Sequence, residues 1–186
     1  MAWAVVLAVP MMISQIGPAA AQSPSADSLR LTPSGLATAD PSADPSYLEV
    51  GAGVYDILGD HGNHETFAAN AEFHFGEKLF FIGPAIGVIA DVRGGGMVYA
   101  GLYSDLPFGP IVVTPLAGIG GWWKGAHNDE NLGGAFEFRL SLATAYQFDG
   151  GSRVGVRFGH ISSAGINKRN PGENDLMLTY DTPLGL

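Results

Sequence analysis

Between residues 153 and 158 the chain reads Arg-Val-Gly-Val-Arg-Phe, strict alternation of bulky apolar groups with arginine or glycine. Successive side chains on a strand point to opposite faces, so Val154, Val156 and Phe158 share one surface while Arg153, Gly155 and Arg157 share the other. The pattern recurs with Leu176, Leu178 and Tyr180 opposing Asp175, Thr179 and Asp181, and with Phe136, Phe138 and Leu140 opposing Glu137, Arg139 and Ser141. A sheet that is apolar on one side and charged on the other needs two different surroundings. That requirement limits the architectures open to the chain.

Eight strand-like segments follow Tyr47, near 47–58, 65–76, 79–90, 96–106, 110–121, 133–148, 152–162 and 174–183, and no segment reads as a helix. Their lengths suit the roughly 9–11 residues that a tilted strand needs to cross a bilayer. Their even number suits a closed barrel. The second, fourth and sixth links, at Gly76 to Lys78, Pro107 to Gly109 and Asp149 to Gly151, read as tight turns, whereas the first, fifth and seventh are longer and more polar. Short periplasmic turns alternating with long external loops mark outer-membrane barrels. The third link, around Arg93-Gly94-Gly95, is short and fits this less well. Outside the N-terminus no run approaches the roughly 20 apolar residues of a membrane-spanning helix.

The expected class is therefore all-β, an eight-stranded antiparallel outer-membrane β-barrel over residues 47–186, with apolar groups toward lipid and charges paired inside. A soluble lipocalin-type barrel would reverse the two faces. The arginine-bearing face, the alternating link lengths and Trp122-Trp123 at a strand end, where an interfacial anchor belongs, favour the membrane version.

The N-terminus agrees with export. Ala4 to Met12 is apolar, Pro18 interrupts it, and Ala19-Ala20-Ala21 precedes Gln22, so residues 1–21 read as a secretory signal peptide without the usual basic start. Residues 22–46, broken by Pro24, Pro33, Pro41 and Pro45, read as a disordered periplasmic leader. The formal charge of −9 with nine scattered Lys and Arg argues against nucleic-acid binding. The absence of cysteine excludes disulfides and thiol chemistry.

One segment departs from the barrel pattern. Extending the parity of residues 153–158 puts His160 and Ser162 on the lipid-facing surface, where polar side chains are costly and point to a function. Two residues apart, about 6–7 Å at Cα, an imidazole and a hydroxyl can form a general base and nucleophile. The alternative is that the strand has left the membrane and both are rim residues in water. His61, His64, Asp60 and Glu65 cluster in the first external loop, but such loops are usually only solvated, and no metal is expected. Gly94-Gly95-Gly96 lacks the context of a phosphate loop, and Asp129-Glu130-Asn131 reads as surface.

The run His160-Ile161-Ser162-Ser163-Ala164-Gly165, then Asn170-Pro171-Gly172 and a last strand closing on Tyr180-Asp181-Thr182-Pro183, resembles the lipid A 3-O-deacylase family of PagL-type acyloxyacyl hydrolases. The likeness is close over about the last thirty residues and extends to the rest as a barrel outline. It implies a bacterial outer-membrane serine esterase that modifies lipopolysaccharide with no cofactor, lipid A being the substrate. It further implies His160 as base and Ser162 as nucleophile, with Asn170 and the backbone near Gly165 at the oxyanion. The family's Asn after the serine is Ser163 here. Its third triad member, a Glu, falls on Asn174 without a gap, while Glu173 lies one residue early; parity favours Asn174 and carboxylate chemistry favours Glu173. A non-catalytic envelope barrel for adhesion or stability is the competing reading. The sequence leaves a homodimer open.

Overall fold

The computed structural model describes residues 44–58, 65–126 and 130–184. The elements, all strands among the described residues, are β1 (Ser46–Tyr55), β2 (Thr66–His74), β3 (Gly83–Asp91), β4 (Gly96–Tyr103), β5 (Leu106–Phe108), β6 (Ile111–Trp123), β7 (Phe136–Gln147), β8 (Arg153–Ser162) and β9 (Glu173–Leu184). Every pairing is antiparallel, β1 pairs with β9, and β4 pairs with β6, so eight strands close on themselves. The three-residue β5 pairs only with β6 and continues β4 beyond a break at Ser104–Asp105. Closure pairs each of the eight long strands on both sides.

The two faces part as the alternation requires. Phe67, Val98, Ile119, Leu140, Val156, Leu176 and Leu178 are exposed on the outer wall, an apolar surface that hydrocarbon satisfies and water does not. Charges fill the interior. Arg139 is fully enclosed and grips Asp175 through two nitrogens, at 2.5 and 3.1 Å. Arg157 lies 2.5 Å from Glu49 and 2.8 Å from Glu72, and Glu72 also meets His74 and accepts from the Tyr99 hydroxyl. Such groups are tolerated away from water because each cation meets an anion at hydrogen-bond range. The barrel is an outer-membrane barrel with a packed polar core.

The ends differ. Asp44, Lys78, Asp105, Thr114 and Arg153 gather at the end carrying the β2–β3 and β7–β8 turns, with Arg153 reaching Asp105 at 3.1 Å and Thr114 reaching it at 2.7 Å. At the opposite end the β6–β7 connection dips inward, burying Leu132 beside Tyr55, Trp122, Ile161 and Met177. The longer links occupy this second end, which is therefore the external one.

Several boundaries move from their expected places. The second link turns at Phe80-Phe81, not at 76–78: Leu79 and Ile82 bridge each other and Phe80 takes a φ of 60°. Pro107 lies within β5, and the turn falls on Gly109, whose φ of 64° suits a residue without Cβ. Of the tryptophan pair only Trp123 faces outward, donating Nε1–H to the Gly94 carbonyl, while Trp122 is in the core. Ser46 opens β1 and Asp44 pairs with Lys78, so the tail of the expected leader is part of the fold. The rest of the leader and the signal peptide lie outside the described residues.

Candidate active site

The external half of β8 carries His160 and Ser162 on the outer wall, both half-buried. Their cross-strand neighbours are Leu140 and Phe138 on β7 and, for His160, Asn174 on β9. The Asn174 Oδ1 stands 2.9 Å from His160 Nδ1. The orientation of that amide is fixed from its other end, since Nδ2 donates to the Ile57 carbonyl at 3.3 Å. Ile57 in turn donates its N–H to the Asn174 carbonyl at 3.0 Å. With oxygen facing the ring, Nδ1 must carry the proton and Nε2 presents a lone pair. This is the tautomer a general base requires.

Glu173 does not reach the histidine. It pairs with Ile161 in unbroken register and is turned into the barrel, 2% exposed, on the same side as Asp175. The bulge that would bring it round is absent, because the β8–β9 ladder runs continuously from Arg153 to Ile161. Of the two candidate orienters, the structure brings only Asn174 to the ring.

The loop between β8 and β9 folds back on the end of β8. Ala164 and Gly165 have φ of 52° and 82°, and Ile166 N–H returns to the Ser163 carbonyl at 3.1 Å, the geometry of a tight turn with two left-handed residues. Asn170 Oδ1 accepts from the Ser163 N–H at 2.7 Å and from the Ser163 hydroxyl at 2.9 Å. The amide of the residue after Ser162 is thus engaged. Of the two neighbouring cations Lys168 and Arg169, both exposed, Arg169 donates to Glu130 at 2.6 Å. Of the acidic and imidazole groups expected in the first external loop, His61, His64 and Asp60 lie outside the described residues, as does Asp129 of the fifth link.

Two contributors escaped the sequence reading. Gly172, with a φ of 74°, lies flat against the imidazole: a Cβ there would stand 2.8 Å from His160 Cε1 and 3.4 Å from Nε2. Its position after Pro171, in the Asn-Pro-Gly run, was the only available signal. Ile57 acts through its backbone from 117 residues away, which no local pattern could reveal.

Comparison with known proteins gives the family. The family model described as Lipid A 3-O-deacylase (PagL) matches residues 38–183. Lipid A deacylase PagL of Bordetella bronchiseptica is 36% identical over 52 residues, 28% of this chain and 29% of that protein. The Pseudomonas aeruginosa protein of the same name is 30% identical over 102 residues, 48% of this chain and 58% of that one. The chain therefore spans less than two thirds of the length of either curated relative. Among solved structures, the outer membrane enzyme PagL superposes with a TM-score of 0.55 at 18% identity, covering 74% of this chain and 99% of that one. Neisserial surface protein A gives 0.54 at 10% identity, covering 75% and 97%. Those two likenesses speak for the fold; the family match runs through every strand but the last residue of β9, and the chain belongs to the lipid A 3-O-deacylase (PagL) family.

Proposed function

We propose that the protein is an outer-membrane ester hydrolase that removes an ester-linked acyl chain, the 3-O-hydroxyacyl chain, from lipid A of lipopolysaccharide. The observation that carries this reading is the His160–Asn174 hydrogen bond on the outer wall, with the amide oriented by Ile57. Nε2 removes the Ser162 proton as Oγ attacks the ester carbonyl. The tetrahedral intermediate then collapses to an acyl-enzyme as the imidazolium protonates the departing sugar oxygen. Water, activated by the same nitrogen, releases the hydroxy acid. Asn170 supplies an amide N–H to the oxyanion. Asn174 holds the tautomer without contributing charge, as the Asn of papain-like enzymes does. No cofactor enters these steps.

The placement suits the substrate. Ser162 sits among Phe138, Leu140 and Phe158 on the lipid-facing wall, where an ester at the headgroup boundary arrives laterally from the outer leaflet. Mass spectrometry of lipid A from cells carrying the wild type, Ser162→Ala or an empty vector tests it. Loss of one hydroxyacyl mass with the wild type alone is expected. Identical spectra in all three, with the barrel folded in the outer membrane, would leave the non-catalytic barrel as the better reading.

A further inference from the structure

We propose that Ser163, Asn167 and Glu137 are positioning residues that aim the Asn170 amide at the oxyanion, an inference resting on the serine–histidine reading above. Hydrogen bonds link the four residues in a row, with Asn167 donating on both sides, from its side chain to Glu137 and from its backbone N–H to Ser163. Glu137, at the external end of β7 and facing the interior, accepts from Asn167 Nδ2 at 3.2 Å. Asn167 donates its backbone N–H to Ser163 Oγ at 3.3 Å. The Ser163 hydroxyl, thereby used as an acceptor, donates its own proton to Asn170 Oδ1 at 2.9 Å. Ser163 is fully buried, so water does not compete for these bonds.

Two consequences follow for the oxyanion. In many serine hydrolases the N–H after the nucleophile helps hold the developing charge. Here that N–H donates to Asn170 Oδ1 at 2.7 Å. Two donors on one atom identify it as the amide oxygen. The donor end of exposed Asn170, Nδ2, is then the group left to meet a substrate oxygen, and its direction is set by Ser163. The packing around the relay is built for this approach. A Cβ on Gly134 would stand 2.4 Å from Asn167 Nδ2, and one on Gly133 would stand 2.4 Å from the Arg169 carbonyl, so the β6–β7 loop comes this close to the β8–β9 loop because both residues lack one. Preorganised donors matter most where charge develops, because they need not reorient during the reaction.

The test is a double-mutant cycle on the full-length protein in detergent micelles with purified lipid A, reading kcat and KM separately. Removing one oxyanion donor costs roughly 10²–10³ in rate, so Asn170→Ala should fall into that range and Ser163→Ala should lose about tenfold in kcat with KM within about twofold. In the Asn170→Ala background, Ser163→Ala should cost nothing more. Glu137→Gln, which keeps an acceptor oxygen for Asn167, should restore what Glu137→Leu loses. Retained electrophoretic mobility before heating shows that each barrel is folded. Additive losses in the double variant, or a folded Ser163→Ala protein with wild-type kcat, would overturn the relay while leaving the serine–histidine reading intact. Absence of turnover in the wild type would overturn that reading first. Amide exchange then reads the relay alone: protection at Ser163 that is lost in Glu137→Leu supports the hydrogen-bond chain, and fast exchange in the wild type refutes it.

Discussion

Replacing Gly172 by alanine adds one methyl group directly under the His160 imidazole, the base of the mechanism proposed above. Its Cβ would stand 2.8 Å from His160 Cε1 and 3.4 Å from Nε2, with the Ile161 carbonyl behind it at 3.5 Å. Carbon atoms in contact settle near about 3.5–4.0 Å, so the ring must retreat by roughly 0.7–1.2 Å. The ring is tied to Asn174 at 2.9 Å, and a retreat of that size carries the bond to the limit at which it ceases to be one. The bond itself contributes about 1 kcal/mol. The larger effect is on alignment, since a displacement of about 1 Å between base and nucleophile costs about 10²-fold, near 2.7 kcal/mol of activation energy. Alanine in the left-handed region adds roughly 1–2 kcal/mol of strain to the fold. Gly109 separates the two causes: its φ is 64°, yet nothing lies within 4 Å of an added Cβ, and it sits at the other end of the barrel. Lipid A turnover in micelles should therefore fall about 30- to 100-fold in Gly172→Ala and stay near wild type in Gly109→Ala, with both barrels folded. If the two variants turn over within twofold of each other, the close approach of Gly172 to His160 has no role in catalysis.

Other expectations concern the scaffold. Arg139→Met leaves Asp175 enclosed without its cation and should destabilise the barrel by about 3–5 kcal/mol in urea unfolding; a loss below about 1 kcal/mol would mean that the pair is not the anchor its geometry suggests. Leu178→Arg places a charge on the lipid face, where Leu178 is 71% exposed, and should cost about 2–4 kcal/mol in bilayers if the residue lies near the midplane. Burial raises the pKa of the Asp105 carboxyl, but Arg153 and Lys78 outweigh it and hold the group below the ordinary value of 3.8. A depressed folded value stabilises the protein above the unfolded pKa and is lost as pH falls through the folded one. Asp105→Asn should therefore lower the urea midpoint at pH 7, and the difference from wild type should close below about pH 4; a difference that persists unchanged in acid would count against the ion pair.

The parts of this fold legible in the sequence are those governed by the two-residue period. Arg157, Arg139 and Asp175 are inside, and Val156, Leu140 and Leu176 outside, because a charge and an alkyl group on adjacent residues cannot share one environment. The turn at Phe80-Phe81 was not legible, since a phenylalanine with positive φ contradicts local preference and is held there by the Leu79–Ile82 bridge. Trp122 was misplaced for a related reason: a tryptophan pair at a strand end suggests an anchor, but adjacent residues face opposite ways and only one of the two can be outside. At the candidate site, His160 and Ser162 stood out because they break the apolar face. The choice between Glu173 and Asn174 needed the register across β8 and β9, a property of the loop between them. Local chemistry favoured the carboxylate; the ladder aims it inward.

The alternation of β8 also separates two kinds of evolutionary constraint by the thickness of one peptide ribbon. On its inner surface, Arg153, Arg157 and Ile161 answer to the sealed interior, where any change of charge or volume is felt by the whole cylinder. On its outer surface, Val154, Val156 and Phe158 lead up to His160 and answer only to what drifts past in the leaflet. Outward side chains around His160 can therefore be exchanged without repacking anything behind them. Under the deacylase reading proposed above, a lineage could retune which chain length it accepts through Leu140, Phe158 or Leu176 while its foldability stays fixed.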